Sequence, residues 1–270
     1  MPRVSVITSV HNGELYLEKC IESILNQTFQ DFEYIILNNG STDHTHEILK
    51  KYTDPRLRII HQEDLGLSRS LNKGVDLSNS DLIARLDVDD YSVPQRLDRQ
   101  VTFMKQNPKV VLCGSRFQEL LDEESFTQRV RFIETDEAIR KALCLFNPFA
   151  HSTVIFRKKI FLRAGGYNCQ LKYGQDYDLW LRMLGFGEAV ILKEELVIVT
   201  ISKESESNRN SRKSKLEGLR IRWDAFRKFG GNPREALYYF LKSLTGLISP
   251  SESHLTRPPK SSPNVKLRFL

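Results

Sequence analysis

Four short apolar runs, at 4–10, 32–37, 57–60 and 82–86, divide the first ninety residues at regular intervals. The segments between them repeat apolar residues at helical spacing. Leu17, Ile21, Ile24 and Leu25 fall at i, i+4, i+7 and i+8 and share one face. Ile48 and Leu49 mark a second helix after Ser41-Thr42-Asp43, and Leu71 and Val75 a third behind the expected cap Ser68. Strands alternating with helices of this length predict βαβ units, hence an α/β fold with a mostly parallel sheet covered on both faces.

Beyond Asp90 the rhythm changes. Pro94 suits the first turn of a helix carrying Leu97, Val101 and Met104 on one face. Strands are expected at 110–113, 128–133 and 153–156, with a helix over 136–145. After Gly165-Gly166 come a helix over 176–184 and strands at 190–192 and 196–201. The polar, Ser-rich stretch 202–214 reads as a linker. Two helices follow, one with Leu216, Leu219, Trp223 and Phe226 on a stripe, the other starting at Pro233. Ser and Pro dominate from Pro250, where little fixed structure is expected.

Composition narrows the class. With 270 residues, 40% hydrophobic and 27% charged, the chain can bury a substantial core as a globular protein. Cys20, Cys113, Cys144 and Cys169 are scattered without a Cys-x-x-Cys pair and read as reduced core residues, not a disulfide framework or a zinc site. No run approaches the roughly 18 apolar residues of a membrane span, and Met1-Pro2-Arg3 leads straight into a strand. A cytoplasmic location is expected. The charge of +6 is uneven: residues 1–202 carry a net −3 and residues 203–270 a net +9. A basic C-terminal segment on a mildly acidic body points to an anionic surface. With no nucleic-acid-binding motif in the chain, the expectation is peripheral contact with an anionic membrane through 203–270.

The chemistry concentrates at strand ends. Asp87-Val88-Asp89-Asp90 follows the run 82–86, and three crowded carboxylates are unfavourable unless a cation or substrate resolves them. Mg²⁺ or Mn²⁺ does so by bridging one or two carboxylates to phosphate oxygens. An acidic turn capping the next helix would use the same residues. The first strand ends in Thr8-Ser9-Val10-His11-Asn12-Gly13 and the second in Asn38-Asn39-Gly40-Ser41-Thr42-Asp43. Open α/β sheets bind ligands beyond such strand ends, where amides and an Asp suit a base and ribose and helix N-termini suit phosphate.

In this order the residues resemble the inverting glycosyltransferases of family 2, of GT-A fold. The likeness runs through Val4-Ser5-Val6-Ile7, Asn12, Ser23-Ile24-Leu25-Asn26-Gln27-Thr28-Phe29, the Asn-Asn-Gly-Ser-Thr-Asp turn and Asn72-Lys73-Gly74. It continues through Ile83-Ala84-Arg85-Leu86-Asp87-Val88-Asp89-Asp90, Pro94-Gln95-Arg96-Leu97 and Ala164-Gly165-Gly166-Tyr167, ending at Gln175-Asp176-Tyr177-Asp178-Leu179-Trp180-Leu181-Arg182.

The resemblance implies a GT-A catalytic domain over 1–202, divided into a nucleotide-sugar half (1–90) and an acceptor half (91–202). A basic helical extension (203–249) and a flexible tail (250–270) would follow. It implies a nucleotide-sugar donor, a UDP-sugar first, and a glycan or lipid-linked acceptor. Ser9, Asn12, Asn39, Asp43, Asp87 and Val88 would meet the donor. Asp89, with Asp87, would ligate Mn²⁺ or Mg²⁺, supported by Asp90. Asp176 would be the general base that deprotonates the acceptor hydroxyl. Gln175, where the family has Glu, His151 and Trp180 are candidates for acceptor contact or support. Arg69 and Lys73 are weaker candidates for the diphosphate. Asn38-Asn39 departs from the family's Asp-Asp; each Asn keeps an acceptor and adds a donor.

Two other classes compete. A non-catalytic sugar-nucleotide-binding descendant is motivated by the Asn pair and opposed by Asp87, Asp89 and Asp176. A dehalogenase-like phosphatase also uses Asp-x-Asp after a strand, but on its first strand, whereas here three βα units precede the motif.

Overall fold

The structure is a computed structural model that describes residues 2–121, 125–128, 133–201 and 212–230. Strand β1 (Val4–Val10) alternates strictly: Val4, Val6 and Val10 enter the core on one face of the sheet, and Ile7 enters the core on the other. Strands β2 (Phe32–Asn39), β3 (Leu57–Gln62) and β4 (Leu82–Arg85) join it in parallel in the order β3-β2-β1-β4. Their crossovers are helices α1 (Leu17–Leu25), α2 (Thr45–Leu49) and α3 (Leu67–Leu77). Helices α1 and α2 bury Leu17, Ile21, Ile24, Ile48 and Leu49 against Val4, Val6, Tyr34 and Ile36. On the opposite face α3 packs Leu71 and Val75 against Ile7, Ile35 and Leu37. That approach is close because α3 carries Gly74: a Cβ there would sit 2.7 Å from Ile7 Cγ2 and 2.8 Å from Leu37 Cδ1.

The sheet continues past β4 as β8-β6-β9-β5, with β7 (Ser125–Gln128) paired to β6. Here β5 is Tyr91–Ser92, β6 Val110–Leu121, β8 Ile155–Arg157 and β9 Glu188–Ile201. Strand β8 is antiparallel to β4 and β6, whereas β9 runs parallel to β6. Around this half lie α4 (Arg96–Gln106), α5 (Asp136–Leu143), a 3-10 turn (His151–Thr153), α6 (Lys158–Arg163), α7 (Gln175–Met183) and α8 (Arg212–Phe229).

The expected α/β architecture with a mostly parallel first half is found. Several boundaries move. The strands expected at 190–192 and 196–201 are one strand, because pairing steps from Ser115↔Leu192 to Arg116↔Glu195 and the charged residues between are bulged out. The strand expected at 110–113 runs on to Leu121. The strand expected from 153 starts at Ile155, since His151–Thr153 is wound into the 3-10 turn. Gly66, at φ 74°, precedes α3 in place of Ser68, which lies inside the helix, and Pro94 lies ahead of the α4 cap Gln95.

Helix α8 also differs from its expected stripe. It packs on α5 and α7 through Ile221 and Ala225, while Leu216 and Trp223 are 64% and 57% exposed. Residues 129–132 of the strand expected at 128–133, most of the 202–214 linker, the helix from Pro233 and the tail from 250 lie outside the described residues.

Candidate active site

Because β1, β2 and β4 are parallel, their C-terminal ends emerge on one edge of the sheet. The turns that follow are stitched together there. Asn12 sits at φ 55°, its backbone N–H donates to Ser41 Oγ (3.0 Å), and its side-chain oxygen accepts from the Thr42 N–H (2.8 Å). Gly13 N–H donates to Thr45 Oγ1 (2.9 Å). Asp43 accepts from the Glu14 N–H and the Thr45 N–H, both at 3.0 Å. Burial alone would raise the Asp43 carboxyl, but these bonds hold it below its ordinary value. Val88 closes the edge: a Cβ on Gly13 would lie 3.0 Å from its Cγ2.

Ser9 donates to Ser70 Oγ of α3 (2.8 Å). Asn39 is 3% exposed and its side chain is already engaged. It donates to Asp64 (2.8 Å) and accepts from Gln62 Nε2 (2.8 Å) and the Leu65 N–H (3.0 Å). It therefore braces the loop after β3, an internal role that the Asp-to-Asn change suits because Asp64 needs a donor. On α3, Arg69 is exposed and Lys73 half-buried.

The acidic triplet resolves into three environments. Asp87 is clasped. Arg85, 1% exposed, pairs with its Oδ1, and Ser152 Oγ donates to its Oδ2 (3.1 Å) and accepts from its N–H (2.9 Å). Burial pushes its carboxyl up, but Arg85, His151 and Ser152 outweigh burial and hold it below the usual range. Asp90 is 5% exposed and accepts from the Thr200 N–H (2.9 Å); burial, then the charges of Asp89 and Asp87, raise it strongly. Asp89 has no hydrogen bond or ion pair with another described residue, and burial followed by the Asp87 charge raises it to about 6.

No cluster of three His, Cys, Asp or Glu side chains gathers among the described residues. An all-protein cage does not fit these residues; the chemistry of Asp89, a carboxyl without a partner among the described residues, suits a hard cation that would share its shell with phosphate oxygens and water.

A second carboxyl faces the same neighbourhood. Asp176 stands in the first turn of α7 behind Gly174, and its Oδ2 accepts from Asn147 Nδ2 (2.7 Å). Burial raises it to about 6 and the Asp87 charge adds to that, against the pull of the Tyr177 N–H and Asn147. His151 lies beside the first acidic centre. Its Nδ1 is 3.6 Å from Asp87 and its Nε2 2.8 Å from the Tyr167 hydroxyl. Burial and the Arg85 charge pull this imidazole down to about 3, so it is neutral. The tautomer with hydrogen on Nδ1 turns it to Asp87 and lets Nε2 accept from Tyr167. Tyr167 is itself pinned to α3, since Asn72 accepts from its N–H (2.8 Å) and donates to its carbonyl (3.0 Å).

Trp180 is fully buried, against His151, Phe149 and Phe156. It packs behind His151 in the core. Gln175 opens α7, and its Oε1 is buried without a partner among the described residues. Among the residues given no role from sequence are Arg85, Ser152, Asn147 and Tyr167. Arg85 alone carried a signal, as a cation inside an apolar strand.

The chain matches the profile described as "Glycosyl transferase family 2" over residues 5–165. It is 30% identical over 253 residues to the amylovoran biosynthesis glycosyltransferase AmsE of Erwinia amylovora, covering 90% of this chain and 94% of that protein. Identity is 34% over 249 residues to the O-antigen biosynthesis glycosyltransferase WbnJ of Escherichia coli, covering 89% and 96%. Two solved structures share the fold. One is S. aureus TarS 1-349 in complex with UDP-GlcNAc (TM-score 0.69, 17% identity, 90% of this chain and 71% of that one). The other is the mannosyltransferase PcManGT from Pyrobaculum calidifontis with GDP-Man and Mn²⁺ (TM-score 0.67, 16% identity, 91% and 74%). The chain belongs to glycosyl transferase family 2 and is a glycosyltransferase of GT-A fold.

Proposed function

We propose that this enzyme moves a sugar from a nucleoside-diphosphate donor to a hydroxyl of a glycan or lipid-linked acceptor, with inversion, in bacterial polysaccharide assembly. The observation that carries the reading is that two carboxyls far apart in the chain, Asp89 and Asp176, both feel the Asp87 charge, and each is raised by burial to about 6. One suits a cation and the other a base working near neutral pH.

The donor lies over the ends of β1, β2 and β4, with Ser9, Asn12, Asp43, Asp87 and Val88 around base and ribose. Asn39 contributes through the backbone that it fixes. Asp89 would hold Mn²⁺ or Mg²⁺, with Asp90 behind it. When bound, the cation neutralises charge on the diphosphate leaving group. Asp176 takes the proton of the acceptor hydroxyl, and Asn147 orients its carboxylate. His151, neutral and fixed by Tyr167, lies beside Asp87 on the acceptor side. UDP-sugars are the first choice of donor, and GDP- and dTDP-sugars are the alternatives.

A thermal-shift series tests donor and metal together. A UDP-sugar near a hundred times its Kd stabilises by about 2.7 kcal/mol. That shift should need Mn²⁺, and Asp89→Asn should abolish the Mn²⁺ requirement along with most of the shift. A full shift in Asp89→Asn would remove the metal assignment.

The membrane contact is part of the same reading. No described helix is long and apolar enough to cross a membrane. The outer face of α8 sets Leu216 and Trp223 among Lys213, Arg220 and Arg227, a mixture suited to an anionic lipid surface. The protein should float with vesicles containing anionic phospholipid, remain behind with zwitterionic ones, and lose about tenfold in affinity in Trp223→Ala. Equal flotation with both lipids would refute this contact.

A further inference from the structure

The turn that leads into Asp176 is held by a side chain of α8, a helix beyond the residues that match the family profile. The chain segment entering α7 turns through Gly174 at φ 63°, and no side chain caps the helix there. The two preceding peptide N–H groups donate instead to one side chain of α8. Glu217 accepts from the Tyr173 N–H at 2.7 Å and from the Lys172 N–H at 3.4 Å. One helical turn on, Ile221 Cδ1 lies 3.0 Å from where a Cβ on Gly174 would stand. The two α8 residues thus meet the same short segment, one by hydrogen bonds and one by packing.

The Glu217 carboxylate is 12% exposed, and its other charged neighbour, Lys213 on its own helix, is 3.8 Å away and mostly in solvent. The same helix touches the loop that carries Asn147, the hydrogen-bond partner of Asp176. Arg222 Nη1 reaches the Leu145 carbonyl at 3.5 Å, and Cys144 Sγ lies 3.1 Å from the Gly230 carbonyl just past α8.

We infer that Glu217 is a positioning residue for the transfer step: it fixes the 172–174 turn so that the Asp176 carboxylate meets the acceptor hydroxyl. The inference rests on the reading of Asp176 as the base. Its physical basis is that a base must stand within hydrogen-bond reach of the proton it removes, and a displacement of about 1 Å costs on the order of a hundredfold in rate. Loss of the carboxylate leaves two N–H groups of the turn without their acceptor, and the turn relaxes around Gly174, the residue with the freest backbone in it. Donor binding, on the far side of Asp87 at the ends of β1, β2 and β4, involves none of these contacts.

The test uses the full chain and follows nucleoside diphosphate released from the nucleotide sugar that stabilises it most, with Mn²⁺ and water as acceptor. Glu217→Ala is expected to lower kcat between ten- and a hundredfold, with KM for the donor within twofold and an unchanged Mn²⁺-dependent thermal shift. Glu217→Gln keeps an oxygen for the Tyr173 N–H and should recover kcat to within about fivefold of the native enzyme. A purely structural contact would instead lower the melting temperature and leave kcat of the folded enzyme unchanged. That result, or a parallel loss of donor binding, overturns the inference. If Glu217→Ala does not fold, Glu217→Gln decides it, since a kcat equal to that of Asp176→Asn would show that the amide cannot substitute and that more than positioning is at stake. Asp176→Asn run alongside separates the two layers. Retained turnover there sinks the base assignment itself, whereas lost turnover there with native turnover in Glu217→Ala sinks only the role of Glu217.

Discussion

Asp176→Asn is expected to cut turnover by about 10²- to 10⁴-fold, the range set by removing a positioned general base, while leaving the donor's KM within about twofold. The substitution is close in shape, and Asn147 can still donate to the oxygen that an asparagine retains. Its stability should move the other way. The Asp176 carboxyl is raised by burial to about 6 in the folded chain, against about 3.9 unfolded. The folded state therefore binds the proton more tightly than the unfolded one between these values. Its stability falls as pH rises through that window and stays lower above it. Asparagine removes this cost, so the variant should be more stable than the native enzyme at pH 7 by on the order of 1–3 kcal/mol. The pH profile supplies the second readout. Native kcat should fall about tenfold per unit below pH 6, and that acid limb should vanish from whatever activity the variant retains. An active variant, or one with the acid limb intact, would show that another group takes the proton.

Sequence carried the first half of the fold and the acidic groups well. Parallel strands buried on both faces read as apolar runs, and a strand that stops at three aspartates announces an edge where ligands bind. It carried the partners of those groups poorly. Asn147 lies 29 positions before Asp176, and Ser152 lies 65 after Asp87. Each is an ordinary polar residue in a loop, and only the pairing of β8 with β4 makes Ser152 a neighbour of Asp87. Glu217 is further from any motif, on a helix that looked like an appendage.

Periodicity also left a choice of face. Of the expected stripe, Leu219 is buried while Leu216 and Trp223 turn outward, and Ile221 and Ala225 supply the rest of the packing. Trp180, one turn along from Asp176, uses its large surface to fill the space behind His151. At Asn39, a residue type suited to recognising a base is equally suited to bracing a loop, and here it braces the loop after β3.

Arg85 is where the architecture and the chemistry depend on the same side chain. It is a cation inside the sheet, 1% exposed, and it donates to the Ile7 carbonyl (2.9 Å) as well as to Leu86 and Asp87. By engaging Asp87 it lets three carboxylates share one strand end while Asp89 is left without a partner among the described residues. Arg85→Met fills much the same volume and removes the charge. The expected cost at pH 7 is about 3–5 kcal/mol, because breaking a buried pair strands its partner. For a chain of this length that is on the order of 10 °C in Tm.

The pH dependence fixes the cause. The native Asp87 carboxyl is held below its ordinary value, so its contribution to stability is present above about pH 4 and is lost as pH falls further. In Arg85→Met that contribution is absent, and Asp87 joins Asp89 and Asp90 as a group that folding would rather protonate. The gap between the two proteins should therefore be widest at neutral pH and shrink towards pH 4, when urea unfolding is compared at the two values. A gap of the same size at both would assign the loss to the hydrogen bonds on Ile7 and Leu86 instead of the charge. A gap under about 1 kcal/mol at pH 7 would mean that the acidic strand end tolerates its own repulsion without a buried cation.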